Sequence, residues 1–207
     1  VERLIHPGSK LASALHFDET TLGDELGVAG ADVDELYAAL DWLLARQERI
    51  EQKLAARHLR DGGLALYDLS TSFYTGTHCP LARFGHDRDG RTGYPIIAYG
   101  VLTDARGCPV GVSVYPGNTG DPTTVADQAK KLRERFGLRD VLLVGDRGML
   151  TQTRIDALRA QPGLGWISAL RGPAIRALVE RGALQLSLFD QCNLAEIHSP
   201  DYPGERL

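Results

Sequence analysis

Two β-rich runs, IIAYGVLTD at residues 96–104 and CPVGVSVYPG at residues 108–117, are separated only by Ala105, Arg106 and Gly107. Runs this rich in Val, Ile and Tyr, joined by a short glycine-containing turn, pair as an antiparallel hairpin. That hairpin limits what the flanking segments can be. Before it, LALYDLS at residues 64–70 reads as a further strand, followed by the Gly- and Arg-containing loop FGHDRDGRTGYP. After it, GNTGDPTT introduces a helix, with Asp121 expected at the N-cap and Pro122 at the first helical position. Val125, Ala129, Leu132 and Phe136 follow at helical spacing, and Gly137 ends the helix.

DVLLVGD at 140–146 is the next predicted strand, and TQTRIDALRA a helix halted by Pro162 and Gly163. LGWISAL is another strand, and AIRALVE a short helix ended by Gly182. Strand, hairpin, helix, strand, helix, strand is the order of an α/β fold with a mixed sheet and flanking helices. Order alone does not choose among the folds that share it.

Upstream the texture is different. A helix is expected from near Asp32, with Val33, Leu36, Leu40, Leu43, Leu44, Ile50 and Leu54 on one broad face. Asp61, Gly62 and Gly63 end it. Residues 1–62 thus read as a helical N-terminal segment, and residues 63–207 as the α/β body. Hydrophobic residues at 43% and charged residues at 24% fit a folded, globular chain. No apolar run approaches the roughly 20 residues of a membrane span, and the N-terminus lacks the apolar core of a signal peptide. The expectation is a cytoplasmic protein with no membrane partner. Cys79, Cys108 and Cys192 form no CxxC pair, and His78–Cys79 has no second pair at ligand spacing. Ordinary reduced thiols are expected rather than disulfides or a zinc ribbon.

Charge is unevenly spread. Eight acids and no Lys or Arg lie between Asp18 and Asp41, whereas Arg147–Gly182 holds six Arg against two acids, within a total of −4. The acidic total argues against a dedicated nucleic-acid binder, and the basic stretch keeps phosphate contacts open.

Two carboxylates stand in apolar surroundings: Asp68 inside LALYDLS and Asp146 directly after LLVG. A buried carboxylate must be neutralised, paired or bound to a cation. Should the two strands be neighbours, both acids would meet at one site and a divalent cation would remove their repulsion. Mg²⁺ commonly takes one or two protein carboxylates, with water and phosphate oxygens completing its shell. The residues leave a second reading open: Asp146 as a turn cap for Gly148 or Met149, or as the ion-pair partner of Arg147.

YDLSTSFYTG, CPLARFGHDRDGR, PVGVSVYPGNTGD and VLLVGDRGML, in that order, resemble the DDE transposases of bacterial insertion sequences, in the branch with a Tyr-Arg-Glu-Lys third motif. The resemblance spans about residues 30–207. It implies a ribonuclease-H-like core that cuts and joins DNA with Mg²⁺ or Mn²⁺. By that resemblance Asp68 and Asp146 are the first two catalytic, metal-binding acids, and Arg147 is a phosphate contact on DNA. It also implies transposon-end and target DNA as partners, and a homodimer or association with a full-length transposase. Gly117, Asn118 and Asp121 match a structural turn of the pattern, and Thr71 and Ser72 adjoin the first acid. The third motif has no match: none of the seven Tyr is followed by Arg three residues on. Glu180, Asp190, Glu196 and Glu205 are acids outside any such motif. The resemblance therefore implies a chain shortened before the third acid, and shortened at its N-terminus, with little activity alone. The alternative is a non-catalytic, DNA-binding or regulatory remnant. VLLVGDRG has neither GxGxxG nor GxxxxGK[ST], which argues against a nucleotide-binding protein.

Overall fold

Five strands form one mixed sheet in the computed structural model, which describes residues 1–86, 90, 92–146, 162–170 and 172–182. They are β1 (Gly63–Phe73), β2 (Ile96–Asp104), β3 (Pro109–Pro116), β4 (Val141–Gly145) and β5 (Leu164–Ile167), in the spatial order β3-β2-β1-β4-β5. β1, β2 and β3 run antiparallel as a meander, whereas β4 and β5 add in parallel on the other side of β1. The predicted hairpin is the β2–β3 pair, with Gly107 at φ 83° in its turn. Only glycine takes that backbone conformation readily.

Alternation along β1 divides the sheet into two faces. Ala65, Tyr67, Leu69 and Thr71 are buried; Leu64, Asp68 and Ser72, from the intervening positions, are exposed. The buried face continues through Ala98 and Leu102 of β2, Val110 of β3, Val141 and Leu143 of β4, and Leu164 of β5. Helix α6 (Asp121–Lys130) covers it with Val125 and Ala129, and Leu132 extends the contact just beyond the helix. The helix starts one residue earlier than the sequence suggests, with Gly120 as its N-cap. It ends in a π-helical turn, Lys131–Arg135, where the Phe136 N–H donates to the Lys131 carbonyl at 3.1 Å. Helix α7 (Gly172–Glu180) follows β5 and buries Leu178. The helix expected at 151–160 lies outside the described residues.

The ends of β1, β4 and β5 are fastened together. Asp61 accepts the Arg139 N–H at 2.7 Å and the Asp140 N–H at 3.4 Å. The Gly62 N–H donates to the Asp140 carbonyl at 2.8 Å, and the Val141 N–H to the Gly163 carbonyl at 2.9 Å. The register that starts at Gly63↔Val141 is therefore set by a side chain as well as by the ladder.

The chain divides into two compact units, Val1–Lys53 and Leu54–Leu207. In the first, three short helices, α1 (Glu2–Ile5), α2 (Lys10–Glu19) and α3 (Leu22–Glu25), precede α4 (Val33–Leu44). Asp32 begins α4 with a capping box, its carboxylate taking the Glu35 N–H while Glu35 takes the Asp32 N–H. The single long helix expected from Asp32 to Arg60 is broken after Leu44, and α5 (Gln47–His58) resumes it. Ala55 and Leu59, from the end of α5 and just beyond it, belong to the core under the sheet.

Candidate catalytic metal site

Asp68 and Asp146 both follow the last pair of one parallel ladder. The last ladder pair of β1 and β4 is Tyr67↔Gly145. Asp68 is the next residue of β1 and Asp146 the first residue after β4, so each stands one position beyond that last pair. On its other flank Asp68 meets Val101 of β2. Asp61, through the Arg139 N–H, ties the segment leading into β4 to the segment leading into β1.

Burial corrects the premise from which the sequence singled out these acids. Neither is buried: both Asp68 and Asp146 are exposed, Asp68 on the sheet face opposite the core. The apolar run around Asp68 reflects alternation, with Tyr67 and Leu69 facing one way and the carboxylate the other. Water screens the charges, and the sharing of one cation by two exposed carboxylates needs no large desolvation. One oxygen of Asp68 accepts the Leu69 N–H at 2.9 Å, which steadies the carboxylate and leaves its second oxygen for a ligand.

The surrounding residues sort by face. Thr71 is buried on the core side and does not reach Asp68, whereas Ser72 is on the exposed side, donating to the Tyr99 hydroxyl at 3.3 Å. Gly117 is structural: its N–H donates to the Leu81 carbonyl at 3.0 Å, and a Cβ there would collide with the Ile96 and Arg83 carbonyls. Gly85 packs equally tightly on the Gly117 carbonyl, so loop and strand end meet backbone to backbone. Asn118 is exposed, and Asp121 is the first residue of α6. Glu180 is exposed at the end of α7. Arg147, Asp190, Glu196 and Glu205 lie outside the described residues.

Residues 70–187, more than half of the chain, match the family model for the transposase DDE domain. The chain belongs to the DDE transposase family. Asp146 falls within the matched span, and Asp68 stands two residues before it. The mixed sheet with flanking helices is the α/β arrangement expected from the order of the elements, and a divalent metal is the family's cofactor. No curated protein matches. Among solved structures, similarity is found to a piggyBac transposase synaptic complex with hairpin DNA, at 14% identity and a TM-score of 0.35, over 55% of this chain and 24% of that one. A Mos1 transposase paired-end complex with the left transposon end gives 10% identity and a TM-score of 0.35, over 85% of this chain and 72% of that one. The chain thus spans about a quarter of the piggyBac transposase chain. Among the described residues, no helix is long and apolar enough to cross a membrane.

A second group with metal-binding chemistry escaped the sequence reading. His58, Asp104 and Cys108 bring ligand atoms within 4.8 Å of one another. Asp104 and Cys108 flank the hairpin turn, and His58 ends α5, 46 residues before Asp104. The sequence carried half a signal, an Asp and a Cys four residues apart; the His is legible only once α5 is packed.

Proposed function

We propose that this chain is the catalytic portion of a DNA transposase, with Asp68 and Asp146 supplying two carboxylate ligands to Mg²⁺ or Mn²⁺. The observation that carries the reading is the β1–β4 register: each motif acid directly follows the last ladder pair, Tyr67↔Gly145, and both acids are exposed. The donor set fits the group: all-oxygen, anionic, open to solvent, and short of a full shell, as suits a hard cation that keeps water and binds phosphate. Bound there, the metal supplies charge neutralisation and Lewis acidity toward a phosphodiester. The chain's own part is to hold Asp68 through the Leu69 N–H and to fix its spacing from Asp146 through Asp61. Arg147, next in sequence to Asp146, is assigned to a phosphate oxygen of the DNA.

Residues 63–207 make up this catalytic portion in our reading, and residues 1–62 a helical segment before it. Transposon ends and target DNA are the proposed partners, together with a second transposase chain. With no third-motif acid at the Tyr-Arg-Glu spacing, strand transfer by this chain alone is negligible. Titration with Mn²⁺, followed by its electron paramagnetic resonance signal, tests the metal site. One class of bound Mn²⁺, lost in both Asp68→Asn and Asp146→Asn, is expected; binding unchanged in both variants overturns the assignment.

A non-catalytic, DNA-binding role is the second reading, motivated by the six Arg between Arg147 and Gly182. It requires duplex binding that weakens steeply with salt and is indifferent to Asp68→Asn.

A further inference from the structure

The other cluster sits on the opposite face of the sheet. Asp104 pairs in register with Ala65, a core-face residue, whereas Asp68 pairs with Val101 on the exposed face. Asp104 is only 4% exposed yet fully engaged. One oxygen accepts the Arg106 and Cys108 N–H groups, each at 2.9 Å, closing the hairpin turn. The other takes the Arg106 guanidinium through Nε at 3.1 Å and Nη2 at 2.9 Å. Burial alone would raise the Asp104 pKa, but the Cys108 N–H and the Arg106 side chain and N–H together hold it below the ordinary carboxylate value.

Arg106 holds the middle of the group. Its Nη2 lies 3.2 Å from His58 Nδ1. A guanidinium only donates, so that contact makes Nδ1 the lone-pair nitrogen of the ring, the form in which imidazole binds a metal. His58 Nδ1 and the outer Asp104 oxygen are 3.7 Å apart. In a tetrahedral zinc site, bonds of about 2.0–2.3 Å put neighbouring ligand atoms roughly 3.3–3.8 Å apart. Those two stand a few tenths of an ångström beyond the nitrogen–oxygen edge of roughly 3.3–3.5 Å, and Cys108 completes a nitrogen, oxygen and sulfur set within 4.8 Å.

We propose that His58, Asp104 and Cys108 form a binding site for a zinc-type divalent cation, in which Arg106 serves as a replaceable resident cation. The donor set is of the borderline-soft kind, unlike the all-oxygen pair at Asp68 and Asp146. Charge points the same way: carboxylate and thiolate together balance a dication, whereas one guanidinium balances only the carboxylate. Arg106 is free to leave, since its side chain is 71% exposed on the hairpin tip and Asp104 keeps its two backbone donors. The bound ion would clip the end of α5 to the β2–β3 hairpin, a structural role separate from strand cleavage.

Cobalt(II) is the probe, added to the reduced full chain, because a thiolate ligand gives it a near-ultraviolet charge-transfer band. One equivalent is expected to produce the band, and zinc, but not excess Mg²⁺, to remove it. Cys108→Ser should abolish the band, while Cys79→Ser, Cys192→Ser and Asp68→Asn keep it. His58→Ala should weaken binding by at least the roughly 10- to 100-fold that loss of even an outer partner of a metal costs. Arg106→Ala separates a cation site from a plain salt bridge. Without metal it should melt below wild type, since Asp104 has lost its partner; with zinc it should recover and bind more tightly than wild type. Absence of the band at one equivalent, its persistence in Cys108→Ser, or no recovery of Arg106→Ala by zinc overturns the proposal. Failure of the Mn²⁺ titration at Asp68 and Asp146 leaves these readouts unaffected, so the two metal assignments fall separately.

Discussion

Substituting Asp68 by Asn separates a metal ligand from a structural acid, because the two roles give opposite signs. Asn keeps the size of the side chain and an oxygen to accept the Leu69 N–H, so the local hydrogen bond survives. In the proposed site it removes one of two negative charges, taken as one interstrand spacing of about 4.8 Å apart. At roughly 5 Å in water-like surroundings that repulsion is about 0.8 kcal/mol, and salt reduces it further. Without metal, the variant should be as stable as wild type or up to about 0.8 kcal/mol more stable, a melting-temperature rise of at most about 3 °C for a chain this size. With Mn²⁺ at a hundredfold excess over its dissociation constant the order reverses. Wild type gains about 2.7 kcal/mol, and Asp68→Asn gains little. Melting curves by circular dichroism, in EDTA and in Mn²⁺, give both comparisons on one sample. A metal-free loss beyond about 1 kcal/mol would show that Asp68 holds the fold together through a lost interaction. Equal stabilisation of both proteins by Mn²⁺ would place the metal elsewhere.

Asp61→Ala should lower stability by about 1 kcal/mol, through the lost bond to the Arg139 N–H, and weaken Mn²⁺ binding although Asp61 is no ligand; urea unfolding reads the first and calorimetric titration the second. Leu102→Ala, at a side chain with no exposed area, should cost about 2–5 kcal/mol in urea unfolding without altering the metal stoichiometry. The depressed Asp104 pKa makes its contribution complete above the unfolded value of 3.8 and lost as pH falls through the lower folded value. The melting-temperature gap between wild type and Asp104→Asn should therefore be wide at neutral pH and narrow in acid below that value. Labelled transposon ends with Mn²⁺ should yield negligible strand transfer, and efficient transfer abolished by Asp68→Ala would refute the inference from the missing third motif.

The strands and their order were legible because their signals are local. Val- and Ile-rich runs, Gly107 in the turn and Gly137 after the helix each mark a boundary by their own backbone preferences. The break between α4 and α5 was not, since the Ala45–Arg46 step carries neither Gly nor Pro to announce it. Apolar neighbours mark both acids in the sequence, but not their exposure. Their apolar neighbours suggested burial, yet in a sheet one residue's neighbours face the opposite way, so the run LALYDLS could not tell an inward from an outward aspartate. The parallel pairing of β1 with β4 joins residues 78 positions apart, which no local signal announces. His58 was illegible for the same reason: helix ends reveal a partner only after packing.

β3 is an outer strand, and it exposes Val112 and Val114. An apolar margin of that kind invites a strand from another molecule. The π-helical turn after α6 brings Lys131 back to this margin, where its ammonium donates to the Val112 carbonyl at 3.1 Å and to the Ser113 hydroxyl at 2.8 Å. One main-chain acceptor of the outer strand is thereby engaged by a buried lysine, and a charge pointing inward at a sheet edge opposes pairing with another strand. The irregular turn thus guards the molecule against growing into a continuous sheet with its copies, a matter of solubility at high concentration rather than of chemistry on DNA.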